Sequence, residues 1–317
     1  MEQDIIFLAP ALQERIWGGK KLQSIYGYDI PHEQTGEAWV ISAHEHGPSL
    51  VLNGALKGKT LRTAWEQYPA LFGQASGERE FPLLVKIIDA NDRLSVQVHP
   101  DDTYAQEVEN EPYGKTECWY VLDCEENSEI IYGHQAQSKE EFERLMALDQ
   151  WDELLTYVPV KPGDFYYVPS GTIHAIGKGI VILEIQQSSD ITYRLYDYDR
   201  KDAEGHRREL HLESALAVTN YPHTSKALAH VDEKVGDMER RELIKEPYFT
   251  VDHWKIRGEV TRAVKVDYLL VSVIEGNGKV TVKEQTYSLQ KGDHFIVPTS
   301  TDTFSLNGTF ELIVAYE

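Results

Sequence analysis

Apolar and polar residues alternate with a period of two along much of the chain, the spacing of half-buried strands, and only a few short stretches carry helical spacing. Residues 81–89 form an apolar run interrupted by Lys86, which reads as a buried strand. A lysine among such neighbours either carries its amine to the surface or is held for a ligand. In Leu94-Ser95-Val96-Gln97-Val98-His99 the alternation sets Leu94, Val96 and Val98 on one face and Ser95, Gln97 and His99 on the other. Residues 113–122 begin with a turn and continue as a strand on which Lys115, Glu117 and Trp119 share a face. Phe7 to Gly19 reads as a short strand and a glycine turn, and 37–44 as a strand ended by Gly47-Pro48. Helical spacing is confined to 60–68, to 101–110, and to the stretch after Ser138, where Glu141 three residues on completes a capping box.

One unit recurs. Gly163-Asp164, an apolar strand and Val168-Pro169 return as Gly292-Asp293, an apolar strand and Val297-Pro298, an offset of 129 residues. A repeated turn-strand-turn implies two related β-barrel modules, which we place at 1–240, with the helical elements, and at 241–317. His174 follows the first copy, on a strand returning across the barrel, whereas Thr303 holds that position in the second. The first module thus has polar residues suited to a metal, and the second only the fold.

Imidazole, carboxylate and amide oxygen are all zinc-compatible, and three protein ligands with an open position is the usual plan of a catalytic zinc. Gln97, His99, Glu117 and His174 can supply such a set, although any one of them alone reads equally as a satisfied buried polar residue. His44 and His46 form a rival pair, beside a turn and with no obvious third partner. Cys118 and Cys124 are the only cysteines, too few for a disulfide scaffold, and Cys118 faces away from Glu117.

Charge narrows the partners. With 52 acidic and 31 basic side chains the net charge is −21, which excludes a nucleic-acid surface and leaves an anionic small molecule only where basic residues converge. No apolar run reaches the ~18–20 residues of a membrane span. The start Met1-Glu2-Gln3-Asp4 has no basic stretch of a signal peptide, so we expect a cytoplasmic protein without a membrane partner.

Gln97-Val98-His99-Pro100-Asp101-Asp102, Lys115-Thr116-Glu117 and Pro169-Ser170-Gly171-Thr172-Ile173-His174-Ala175 resemble the cupin motifs of the type I mannose-6-phosphate isomerase family in its short bacterial form. Trp17-Gly18-Gly19, Gly36-Glu37-Ala38-Trp39 and Ser189-Asp190-Ile191-Thr192-Tyr193-Arg194 support the resemblance over most of residues 5–200. It implies a mostly β chain of two cupin (jelly-roll) barrels. It also implies one Zn2+ per chain on Gln97, His99, Glu117 and His174, a catalytic arginine at Arg194, and substrate contacts from Lys86, Ser95 and Lys115. The implied reaction is the interconversion of mannose 6-phosphate and fructose 6-phosphate, with a small phosphorylated sugar as the partner. Longer relatives have an Asn-His-Lys-Pro-Glu run where this chain reads Tyr113-Gly114-Lys115-Thr116-Glu117, and the room here is too small for their inserted helical domain.

An aldose-ketose isomerisation moves a proton between neighbouring carbons through an enediol, so the site needs a base and positive charge near the reacting oxygens. Glu184, a zinc-bound water and a lysine are all open as the base. Arg194 can bind paired oxygens, or alternatively pair with Asp190 or Asp197 at the surface. Two other classes share parts of the pattern: a metal-dependent cupin oxygenase, usually with a more histidine-rich iron set, and a non-catalytic sugar-phosphate-binding cupin that has no metal ligands.

Overall fold

Alternation along each strand decides what faces what. The computed structural model describes residues 4–201 and 205–317, so the opening Met1-Glu2-Gln3 on which a leader was judged lies outside them. A six-stranded antiparallel sheet runs in the order Phe165–Val168, Glu117–Cys124, Ile180–Gln187, Leu83–Ala90, Thr35–Ile41 and Ala11–Gly19. A five-stranded sheet runs Tyr193–Tyr196, Val96–Val98, His174–Ala175, Glu129–His134 and Leu155–Pro159. The two face each other as a jelly roll.

On the six-stranded sheet, Val85, Ile87, Cys118, Tyr120, Leu183 and Ile185 turn outward and pack with Leu243, Phe249, Leu270 and Ile313 of the C-terminal part. Their neighbours Lys86, Trp119 and Glu184 turn inward. On the five-stranded sheet, Val96 and Val98 turn outward onto a cluster with Phe142 and Leu145 from the Lys139–Ala147 helix. Ser138 caps that helix by accepting from the Glu141 amide, and Thr60 caps the Leu61–Gln67 helix in the same way. The helix expected over 101–110 is broken into a short α-turn, Asp102–Tyr104, and a π-helical stretch, Ala105–Glu109. The strand expected over 37–44 ends at Ile41, so His44 and His46 lie beyond it.

The repeat is geometric as well as sequential. Gly163 and Gly292 both have φ of +91°, a backbone that an L side chain rarely adopts. Each donates its amide back to an earlier strand, Gly163 to the Val121 carbonyl at 2.8 Å and Gly292 to the Val273 carbonyl at 2.9 Å. Asp164 accepts from the Lys161 amide at 3.0 Å, and Asp293 from the Gln290 amide at 2.8 Å. A third, nine-stranded sheet, built mainly from the C-terminal part, takes in strands from both ends of the chain: Ile6–Ala9 pairs with His294–Val297 and with Leu50–Val51.

Tyr28 ties the two parts together. Its hydroxyl donates to the Gly292 carbonyl at 3.0 Å and accepts from His294 Nε2 at 2.9 Å, while Ser272 lies 2.8 Å from His294 Nδ1. The neutral imidazole is fully satisfied, and burial pushes its pKa down to about 3. Unfolded, the same histidine titrates near 6.5, so the unfolded chain binds more protons between about 3 and 6.5 and stability falls as pH falls through that window. We expect thermal melts from pH 7 to 4.5 to lose stability less steeply in His294→Gln than in the wild type; parallel slopes would refute the assignment.

Candidate metal centre and substrate cavity

Strand register assembles the site from two rows of side chains. In the five-stranded sheet, Gln97 lies opposite His174 on one side and Arg194 on the other. In the six-stranded sheet, Trp39, Lys86, Glu184 and Trp119 lie opposite one another in turn. Residues directly opposite share a face, so both rows look into the space between the sheets. That space is a cavity of about 400 Å³.

His99, Glu117 and His174 cluster beside it, each only 1% exposed. Their ligand-type atoms lie within 4.8 Å of one another. The His99 Nδ1–H donates to the Ile191 carbonyl and the His174 Nδ1–H to the Thr172 carbonyl, both at 2.8 Å. These bonds fix the tautomer and leave both Nε2 lone pairs turned to Glu117, at 3.5 and 3.3 Å. Burial drives the His174 pKa down to about 4, and burial followed by the Lys115 charge lowers His99 well below its ordinary value. Both imidazoles are therefore neutral near pH 7. Among the described residues, His99 Nε2, His174 Nε2 and Glu117 Oε2 find no hydrogen-bond partner, although Lys115 Nζ stands 3.3 Å from that oxygen. Two lone pairs set against a carboxylate in a dry interior repel one another, and a bound cation offsets the repulsion. The donor set fits a metal ion.

The cavity wall continues the charge pattern. The Trp119 indole N–H is shared between Glu117 Oε1 and Glu184 Oε1, 3.1 Å from each. Lys86 stands 3.4 Å from Glu184 and 5.1 Å from the Trp39 ring centre, and with 5% exposure its amine stays inside, not at the surface. Glu184 is raised above the usual carboxylate range, by burial first and by the Glu117 charge second. Glu37 is also pushed up by burial, but Lys86, Arg15 and the Trp39 indole together hold it down at about 2. Arg194 donates through Nε to Ser95 Oγ at 3.2 Å and through Nη1 to the Glu209 carbonyl at 2.8 Å. Among the described residues it makes no salt bridge with Asp190 or Asp197, so the surface-pair alternative does not hold.

The structure thus brings Lys86, Ser95, Gln97, Lys115 and Arg194 to the cavity and His99, Glu117 and His174 to the cluster beside it. It corrects one expectation: His44 and His46 do have a third partner, Asp190, whose Oδ2 lies 2.7 Å from His46 Nδ1. Arg15, Glu37 and Arg208 also line the cavity; the sequence offered Glu37 only as part of the Gly36-Glu37-Ala38-Trp39 match and gave Arg15 and Arg208 no signal.

Comparison with known proteins agrees with this geometry. Residues 5–132 match the family model "Phosphomannose isomerase type I, catalytic domain", and residues 239–317 match "Mannose-6-phosphate isomerase, cupin domain". The mannose-6-phosphate isomerase ManA of Bacillus subtilis (strain 168) is 50% identical over 316 residues, covering 100% of each chain. A crystal structure of the mannose 6-phosphate isomerase from Bacillus subtilis superimposes with a TM-score of 0.97 at 48% identity, over 99% of this chain and 100% of that one. A mannose 6-phosphate isomerase crystallised with zinc and yttrium shares the fold, with a TM-score of 0.79 at 18% identity over 99% of this chain and 100% of its own. On the full-length identity and both matching domains, the chain belongs to the type I phosphomannose isomerase family of enzymes.

Proposed function

We propose that this chain interconverts mannose 6-phosphate and fructose 6-phosphate through an enediol, with one Zn2+ per chain held by Gln97, His99, Glu117 and His174. The observation that carries the reading is the convergence of three buried ligand-type atoms without hydrogen bonds among the described residues, from two strands and from His99 just past the end of a third, beside a cavity lined with Lys86, Lys115 and Arg194. The relatives named above support the substrate, and the neighbour crystallised with zinc supports the metal. With Glu117 as the one anionic ligand, a bound zinc would supply about one net positive charge beside the substrate oxygens.

The protein's own groups divide the remaining work. Glu184 is the proton-transfer residue of choice among the three candidates: it lines the cavity, and burial and the Glu117 charge raise its pKa above the usual carboxylate range, which makes it a better proton acceptor than an ordinary carboxylate. It removes the proton from C2 of the aldose and returns it to C1, while a hydroxyl proton passes from O2 to O1. Lys86 holds Glu184 in place, and Lys115 does the same for Glu117. Arg194, aimed by Ser95, binds substrate oxygens with a planar fork. Residues 1–240 form the catalytic module in this scheme, and 241–317 a metal-free module covering its six-stranded sheet. No helix among the described residues is long and apolar enough to cross a membrane.

Chelation should abolish turnover in a coupled isomerase assay, and added zinc should restore it. The paired changes His99→Ala and His174→Ala should remove the metal equivalent; a full equivalent retained there would move the site to His44, His46 and Asp190. Arg194→Lys keeps the charge but not the fork, so kcat/KM should fall by on the order of 100-fold with little change in melting temperature. Truncation after residue 240 strips Leu243, Phe249 and Ile313 from the shared core. It also removes one of the two strand partners of Ile6–Ala9, so the product should be insoluble or weakly stable. A soluble, fully active fragment would show the modules to be independent.

A further inference from the structure

The segment after the Tyr193–Tyr196 strand gathers two arginines on one buried carboxylate. Asp197 accepts from Arg208 through Nε at 2.8 Å and Nη2 at 2.6 Å, and from Arg200 through Nε at 3.2 Å and Nη2 at 2.6 Å. Burial alone would raise the Asp197 pKa, but these bonds and the two guanidinium charges hold it below the usual range, so it stays an anion. One carboxylate against two guanidinium groups leaves a positive excess. Arg200 directs its share away from the cavity, donating to the Arg93 carbonyl and standing 3.6 Å from Asp92.

Arg208 differs, because it lines the cavity beside Arg194. Its Nε and Nη2 edge is docked on Asp197, and Nη1 makes no hydrogen bond among the described residues. A guanidinium so placed still has a second donor edge, and a phosphoryl group is the anion whose paired oxygens match it. Unlike Arg208, Arg194 has no carboxylate partner among the described residues, and after burial the Arg208 charge is the largest influence lowering its pKa, in keeping with their shared place on the cavity wall. Like charges concentrated on a partly buried wall are unfavourable until an anion joins them. The backbone fixes their positions as well: the His211 amide donates to the Arg194 carbonyl at 2.8 Å, and the Arg194 amide to His211 Nδ1 at 3.1 Å.

The location also fits the length of a sugar phosphate. Arg194 lies opposite Gln97, which in turn lies opposite His174, and its side chain reaches Ser95, two residues or about 7 Å further along that strand. Arg208 is anchored at Asp197, three residues beyond Arg194, toward the end of the cavity away from His99, Glu117 and His174. We propose that Arg208, positioned by Asp197, binds the phosphoryl group of the sugar phosphate and with Arg194 forms the phosphate end of the cavity. This rests on the functional reading above and deepens it.

The test is calorimetric titration of the holoenzyme with inorganic phosphate, together with isomerase kinetics on mannose 6-phosphate, for the wild type, Arg208→Gln and Asp197→Asn. Arg208→Gln should weaken phosphate binding and raise KM by about tenfold or more, with a smaller effect on kcat. Asp197→Asn should shift KM in the same direction by less, because the guanidinium remains but is no longer held. Should Arg208→Gln not fold, Arg208→Lys decides: one ammonium cannot serve Asp197 and a phosphate with two edges, so a loss of about tenfold in phosphate affinity is again expected. Wild-type phosphate affinity and KM in the folded Arg208 variant, or no phosphate binding by the wild type at millimolar concentration, would overturn the proposal. Failure of the wild type to isomerise mannose 6-phosphate would overturn the functional reading alone, since the phosphate titration does not depend on turnover.

Discussion

The Trp119 indole N–H, shared between Glu117 and Glu184, is the contact on which the interior depends. Two carboxylates buried within reach of one donor would repel strongly, and each is balanced by a lysine on its far side, Lys115 for Glu117 and Lys86 for Glu184. Burial of such charges is costly in itself, and removing one partner of a buried pair typically costs about 3–5 kcal/mol because the other charge is left unbalanced. These five side chains therefore form a set in which each fixes the position of the next. The consequence is two carboxylates in different settings: Glu117 turned to the two imidazoles, and Glu184 facing the cavity.

This charged interior is tolerable because the outward faces of the same strands are apolar and covered. Val96 and Val98 rest under the Lys139–Ala147 helix, and Val85, Ile87, Leu183 and Ile185 rest on the C-terminal part. Burying apolar side chains of this kind stabilises by roughly 1.5–3 kcal/mol each, which offsets the polar face they accompany. The second copy of the Gly-Asp turn repeats the hydrogen bonds of the first closely, yet it supports His294 bound to Tyr28 and Ser272 rather than a histidine aimed at a carboxylate in a cavity. The fold and the site are thus separable: the same turn recurs in both parts of the chain, and the residues after it decide what each holds.

Short-range pattern made much of this legible in the sequence. Alternation placed Gln97 with His99 and Lys115 with Glu117, the capping box placed the helix after Ser138, and the offset of 129 residues exposed the repeated turn. What stayed hidden depends on register between distant strands. Nothing local tells that Lys86 stands against Glu184, 98 positions on, or that Ile6–Ala9 joins a sheet built from the other end of the chain. Asp190 joining His44 and His46 is of the same kind, since a loop delivers it from far along the sequence. The π-helical stretch after Tyr104 was missed because the pattern of apolar residues does not separate five-residue from four-residue backbone spacing.

The sign of the cavity runs against that of the whole molecule. A chain of net charge −21 repels a phosphorylated sugar at long range, but that repulsion is screened over about 8–10 Å in ordinary salt, whereas charges inside a partly buried cavity are screened much less. Within the cavity, Arg15 is taken up by Glu37, Lys86 by Glu184, Lys115 by Glu117 and Arg208 by Asp197. Among the described residues the Arg194 guanidinium has neutral partners alone, a serine hydroxyl and a backbone carbonyl. The positive excess of the wall therefore gathers at Arg194, next to Gln97 in register, together with Arg208, which shares Asp197 with Arg200. An anion entering the cavity gains most by approaching that point, which orients it before any bond to carbon is disturbed.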